Sequence, residues 1–216
     1  MKKLLSIYNT LLENFGPQGW WPAETDFEVI VGAILTQATS WSNVEKSISN
    51  LKKKGVLNPK SLHEIKAGSL AKLIKSSGYF NAKARKLKCF MDFLHCNYDG
   101  NLSVMLSQPK ERLRKELLEV WGVGPETADS IILYAAHKPS FVVDAYTKRI
   151  FSRIGFLKAN ASYDEVKHFF EKNLPKGVKL YKEYHALVVE LGKTYCRKKP
   201  LCKECCVNRF CSKQFA

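Results

Sequence analysis

Apolar residues in this chain recur at three- and four-residue spacing almost from end to end, a pattern that leaves little room for anything but helices. Leu4, Leu5, Ile7, Tyr8, Leu11, Leu12 and Phe15 trace one stripe before Gly16-Pro17-Gln18-Gly19 stops it. Trp20-Trp21-Pro22 follows, and a second helix is expected from Thr25-Asp26 through Phe27, Ile30, Val31, Ile34 and Leu35. The spacing repeats over 43–54, 61–77, 81–95, 109–121 and 126–136, and after Pro139 near 144–154, 162–173 and 179–195. Strand-type alternation is almost absent, as are low-complexity linkers and internal repeats. The expectation is an all-α chain of about ten helices with short loops.

A chain of 216 residues can build one large domain or two small lobes. Lys and Arg number 35 against 20 Asp and Glu, a formal charge of +15. Such an excess favours a polyanionic partner such as nucleic acid, with a solvated basic surface as the alternative. No apolar run approaches the roughly 18–20 residues of a membrane span. The opening Met1-Lys2-Lys3-Leu4-Leu5 reaches polar Asn9 and Thr10 too soon for a signal peptide, so a cytoplasmic protein with no membrane partner is expected.

The stretch Leu118-Glu119-Val120-Trp121-Gly122-Val123-Gly124-Pro125-Glu126-Thr127-Ala128 carries the most information. One amphipathic helix ends in a Gly-x-Gly turn and a second starts at once through Ile131, Ile132 and Tyr134. Gly122 and Gly124 allow positive φ and close approach of a ligand backbone. The new helix offers unpaired N–H groups to a phosphate. A plain helical turn with a glycine stop has the same look. Some twenty residues on stands Phe141-Val142-Val143-Asp144-Ala145-Tyr146-Thr147-Lys148-Arg149, where a lone acid after an apolar run opens a basic helix. An N-cap explains Asp144 without any chemistry.

Together, hairpin, Pro-containing loop and V-V-D resemble the endonuclease III-like helix-hairpin-helix DNA glycosylases (HhH-GPD). The resemblance implies an all-α fold of two lobes with a DNA-binding cleft between them. Residues 21–136 would form a helical barrel ending in the hairpin. Residues 1–20 and 137–216 would form the other lobe, with the C-terminal loop. It implies that Asp144 is catalytic and that Gly122, Gly124, Thr127 and Lys148 contact double-stranded DNA carrying a damaged base. Ile34-Leu35-Thr36-Gln37-Ala38-Thr39 resembles the segment whose glutamine, here Gln37, enters the gap left by a flipped base. Gly78-Tyr79-Phe80-Asn81-Ala82-Lys83-Ala84 resembles the loop that drives a wedge, here Tyr79, into the duplex. Tyr184-His185-Ala186-Leu187-Val188 resembles the helix that approaches the cluster, with His185 near the catalytic region or the DNA. A monomer working at the nucleoid is the corresponding expectation.

Five of the seven cysteines lie in the last 21 residues, an arrangement that reads as a metal or redox site rather than a disulfide framework. Cys196-x5-Cys202-x2-Cys205-x5-Cys211 offers four soft ligands, and thiolates in that number suit iron–sulfur or zinc. The family resemblance implies a [4Fe-4S] cluster, although the first interval here is one residue shorter than in the family's loop. Cys206 is a further thiol, either a bystander or an alternative to Cys205. Cys89 and Cys96 are expected to pack.

Strand-cleaving members of the family carry a lysine before the hairpin's Thr-Ala, and that amine forms a Schiff base. Glu126 stands there in this chain, and a carboxylate forms no imine. A monofunctional enzyme without lyase activity is therefore expected. Trp20, Trp21 and Trp41, with Glu126 in the lysine position, resemble the 3-methyladenine DNA glycosylase III branch and would line its base pocket, one or two of the indoles having core packing as the alternative; Tyr146, close to Asp144, is a further expected pocket residue. Stacked indoles favour an electron-deficient base. Alkylated purines of the 3-methyladenine or 7-methylguanine type are the expected substrates. A mismatch thymine or uracil glycosylase, an oxidised-base glycosylase, and a non-catalytic helix-hairpin-helix DNA-binding module are the alternatives.

Overall fold

The computed structural model describes residues 2–213. Among these residues every regular element is helical, and there is no strand. The chain divides into two compact units, one of residues 1–22 with 139–216 and one of residues 23–138.

The contiguous unit is built around α2 (Asp26–Leu35). Every residue from Phe27 to Leu35 is buried, and all but Glu28, whose carboxylate pairs with Lys52, are apolar or glycine, so this helix needs neighbours around it. They are α3 (Trp41–Lys53), α6 (Phe80–Tyr98) and α9 (Pro125–Ser130), the last running on into a π turn at Ile131–Ala135. The expected single stretch over 61–77 is three pieces: α4 (Pro59–Glu64), α5 (Ala67–Leu73) and a 3-10 turn at Lys75–Ser77. Pro59 fits the first turn and Asn58 caps it through Ser61 N–H at 2.9 Å. The break comes where Ile65 and Lys66 turn extended, at ψ 135° and 137°. There the Lys88 ammonium takes the freed carbonyls of Leu62, His63 and Ile65. A short α7 (Leu102–Ser107), capped by Asn101, fills a stretch where no helix was expected.

The hairpin joins α8 (Lys110–Glu119) to α9. Asp129 is wholly buried, and Arg114 on α8 closes on it with Nε 3.1 Å from Oδ1 and Nη2 3.2 Å from Oδ2. This two-pronged ion pair sets the two helices against each other.

The second unit packs α1 (Lys2–Phe15) and α10 (Ala145–Ile154) on α12 (Val178–Thr194), with α11 (Tyr163–Asn173) alongside them in sequence. Its core is aromatic. Phe141 stacks on Phe170 at 4.1 Å, Phe151 meets Phe170 edge-on at 4.7 Å, and Tyr184 lies against all three phenyl groups. The buried Tyr184 hydroxyl donates to Leu4 O at 2.8 Å, which satisfies its polar end and anchors α1.

Asp129→Ala removes the wholly buried half of this ion pair and is expected to lower unfolding stability by about 2 kcal/mol, read as a shift of the urea midpoint with little change in its slope.

Candidate active site

Asp144 sits where an extended, buried segment turns into α10. Side chains of α11 hold that segment from the side. Phe141 N–H donates to Glu171 Oε1 at 2.9 Å, the Lys167 ammonium donates to Ser140 Oγ, and Val143 N–H points at Tyr163 Oη at 3.4 Å. Asp144 is the N-cap, with extended backbone (φ −107°, ψ −178°). Its Oδ1 accepts from both the N–H and the hydroxyl of Thr147, each at 2.7 Å. The capping reading and the chemical one are compatible, because Oδ2 is left over. That oxygen lies 3.8 Å from His185 Nε2, on α12. Asp144 is 9% exposed and His185 7% exposed. Burial pushes the imidazole below its ordinary pKa, while the neighbouring carboxylate pulls it back up. A carboxylate held this way, at a helix N-terminus with one free oxygen, can stabilise a developing cation or accept a proton from water.

Tyr146, the second residue of α10, packs against Gly192 of α12. The contact exists because position 192 is glycine: a Cβ there would come within 2.1 Å of Tyr146 Cδ1. Arg149 covers the ring at 4.9 Å and donates to Gly192 O and Cys196 O. Lys148, expected on DNA, has its ammonium 3.0 Å from Ala161 O. Trp20 and Trp21 belong to the same unit, half-buried, with ring centroids 5.2 Å apart and planes tilted by 51°.

The four spaced cysteines line one cavity, walled by apolar Ile150, Ile154, Leu191 and Val207. Among the described residues, no three thiol, imidazole or carboxylate groups are set to grip a single metal ion. Four thiolates suit iron–sulfur or zinc by their chemistry alone. Burial pushes the Cys205 thiol up to about 11, and Cys206, Cys196 and Cys211 push in the same direction, so the sulfur atoms feel one another. Arg153 Nη1 lies 3.5 Å from Cys196 Sγ and donates to Arg197 O at 2.6 Å.

The other unit holds the remaining candidates. Gln37 is tied to the hairpin: Nε2 donates to Gly122 O at 3.1 Å and to Thr127 Oγ1 at 2.9 Å, and Oε1 accepts from the Lys86 ammonium. Only the first hairpin glycine has positive φ. Gly122 sits at +86°, where a Cβ would also strike Lys86 Cγ at 2.3 Å. Gly124 is extended (φ −93°, ψ 177°), and a Cβ on it would meet nothing within 4 Å. That open face is where another backbone can approach. Glu126 is exposed in the first turn of α9. Tyr79 is 74% exposed in left-handed backbone (φ 45°, ψ 33°), immediately before α6. The Trp41 indole N–H donates to Glu45 Oε1 at 2.8 Å. Lys83, two turns of chain from Ser77, is buried, and its ammonium takes Leu35 O and Ser77 O. Burial lowers its pKa to about 8, with the Lys86 charge adding to the shift. Lys83 and Lys86 thus hold the loops before Tyr79 and around Gln37. Neither had a signal in the sequence, because their partners lie 48 and 49 residues away.

The model of the HhH-GPD superfamily of base excision DNA repair proteins matches residues 31–176. A protein of Methanocaldococcus jannaschii, provisionally named a DNA repair glycosylase, is 52% identical over 96% of this chain and 95% of its own length. Endonuclease III of Thermotoga maritima is 31% identical over 87% of this chain and 84% of its own. The H. pylori 3-methyladenine DNA glycosylase bound to 1,N6-ethenoadenine superimposes with a TM-score of 0.74 at 31% identity, covering 89% of this chain and 94% of that one.

The buried imidazole predicts a pH signature. Its folded pKa lies below the ordinary 6.5, so the unfolded chain binds the proton more readily than the folded one. The contribution of neutral His185 to stability is full above that value and declines as the pH falls below it toward the folded pKa. In Asp144→Asn the opposing carboxylate is gone, and His185 titrates lower still. Imidazole C–H shifts of the two proteins followed by NMR check both statements; titration of His185 above 6.5 in the wild type contradicts them.

Proposed function

The chain belongs to the HhH-GPD superfamily of base excision DNA repair proteins, and from that premise we propose that it is a monofunctional DNA glycosylase for alkylated purines. The observation that carries the reading is the Asp144 carboxylate, one oxygen spent on the cap of α10 and the other beside His185, in a chain 31% identical to a 3-methyladenine DNA glycosylase over 89% of its length. The substrate is double-stranded DNA bearing a 3-methyladenine- or 7-methylguanine-type base, and the protein acts as a monomer on chromosomal DNA in the cytoplasm. Among the described residues no helix is long and apolar enough to cross a membrane.

The base is flipped out of the duplex before its bond to the sugar breaks. Trp20, Trp21 and Trp41 supply π faces for a cationic purine, and Tyr146, seated on Gly192, adds a further wall. Glu126 contributes negative charge and no amine. As the C1′–N bond breaks, its electron pair leaves with the base, which becomes neutral, and the sugar takes on oxocarbenium character. Asp144 stabilises that cation and accepts the proton of the water that adds at C1′. The products are the free base and an abasic site in an unbroken strand.

Gly122, Gly124 and Thr127 contact the phosphates, Lys148 extends the basic face of α10, and Tyr79 and Gln37 fill the space left in the duplex. For Gln37 this means exchanging its bonds to Gly122 O and Thr127 Oγ1 for bonds to DNA. Cys196, Cys202, Cys205 and Cys211 would hold a [4Fe-4S] cluster, which supplies a cross-link for the C-terminal loop.

The test is base release from a duplex carrying randomly N-methylated purines. We expect free 3-methyladenine or 7-methylguanine, strands intact until alkali is added, and a loss of at least about 100-fold in Asp144→Asn. Strand scission without alkali would contradict the monofunctional reading. Release confined to mismatched or oxidised bases would overturn the alkylpurine assignment, and DNA binding without any release would leave a binding module.

A further inference from the structure

We propose that Arg85 and Trp121 form a second DNA-backbone contact beside the hairpin, in which the indole holds the guanidinium in place for a phosphate. The inference rests on the DNA-binding reading above and adds two residues to it.

Trp121 lies two residues past the end of α8, in the turn, and directly precedes Gly122. It is 47% exposed, one of five exposed large hydrophobic side chains among the described residues. An indole left in water at that point contributes nothing to the core. What covers it is Arg85, whose guanidinium carbon lies 4.2 Å from the ring centroid. Arg85 belongs to α6, next to Lys86. The two neighbours divide the work. The Lys86 stem fills the space beside Gly122 and its ammonium goes to Gln37, so it is committed to the turn itself. Arg85 is exposed, and among the described residues no carboxylate pairs with it.

A guanidinium lying on an aromatic face keeps all its N–H groups in the plane, at its edge. The stack fixes the plane and leaves the donor fork unused, and that fork matches two oxygens of a phosphate. Charge fits as well, since an unpaired cation is presented next to a turn whose Gly124 face is open. The occupant the surface favours is the sugar–phosphate backbone of duplex DNA, continuous with the strand on the hairpin. Neither residue belongs to the Gly-x-Gly segment. The role of Trp121 is positional: it does not touch the phosphate but removes the rotamer freedom of the arginine that does.

The experiment is fluorescence anisotropy of the full-length protein with a labelled, undamaged duplex over a range of salt concentrations, alongside base release by the wild type. R85Q and W121A are each expected to weaken binding by roughly three- to tenfold and to reduce the slope of log K against log[salt] by about one. The double variant should bind no more weakly than either single one, because both remove the same contact. W121F, which keeps an aromatic face, should restore most of the affinity and the salt slope, and thermal melting of each variant verifies folding. If R85Q and W121A bind like the wild type, or if their losses multiply in the double variant, the paired contact is wrong, while base release by the wild type leaves the glycosylase reading standing. A wild type that binds no duplex overturns both.

Discussion

An all-helical chain must do something with its helix ends, since each helix leaves backbone N–H and C=O groups without partners inside it. Here charged side chains reach in to take them. Lys83 takes Leu35 O and Ser77 O, Lys88 takes the carbonyls that close α4, Lys138 takes Leu106 O and Arg149 takes Gly192 O, while Lys148 and Arg149 also take the loop carbonyls Ala161 O and Cys196 O. Part of the positive charge that reads as a surface footprint is therefore internal scaffolding. At the other ends stand Thr25, Asn58, Asn101, Asp144 and Ser162, each accepting from an N–H of its own first turn. Asp144 differs from the rest of this set in one respect: its second oxygen faces a buried imidazole.

The helical class was legible because periodicity reports on faces, and most helices here set one stripe against a core and leave the rest to solvent. Breaks were less legible. The interruption at Ile65 depends on Lys88, far along the chain, and the extra turn at Leu102–Ser107 is too short to show a period. At the candidate site, the D-x-x-T spacing of Asp144 and Thr147 is visible in the sequence, and it is the cap that the structure contains. The hairpin glycines looked alike and are not. Gly122 is required by a left-handed φ and by the Lys86 stem, whereas Gly124 keeps ordinary backbone and an open face. The buried charges Lys83 and Asp129 carry no local mark at all, because their partners come together only in three dimensions.

Helix α10 links two features that the sequence presents as separate. Its first residues follow Asp144 and carry Tyr146. Its later arginines grip the cysteine loop, Arg149 at Cys196 O and Arg153 at Cys196 Sγ, Arg197 O and Lys198 O. The loop and the carboxylate therefore share one rigid element about three turns long. The Arg149–Tyr146 stack carries the grip on the loop back to the first turn of the same helix.

Tyr79 stands in left-handed backbone after a glycine at φ +68°, with Lys83 clamping the turn from beneath. For a β-carbon-bearing residue that conformation is uncommon and is sustained by the surrounding structure. The ring is thus mounted on a backbone that has already lost its freedom during folding, and only two side-chain torsions remain to be ordered when it meets anything. In kinetic language, the protrusion behaves as a preset spur whose encounter needs little conformational search.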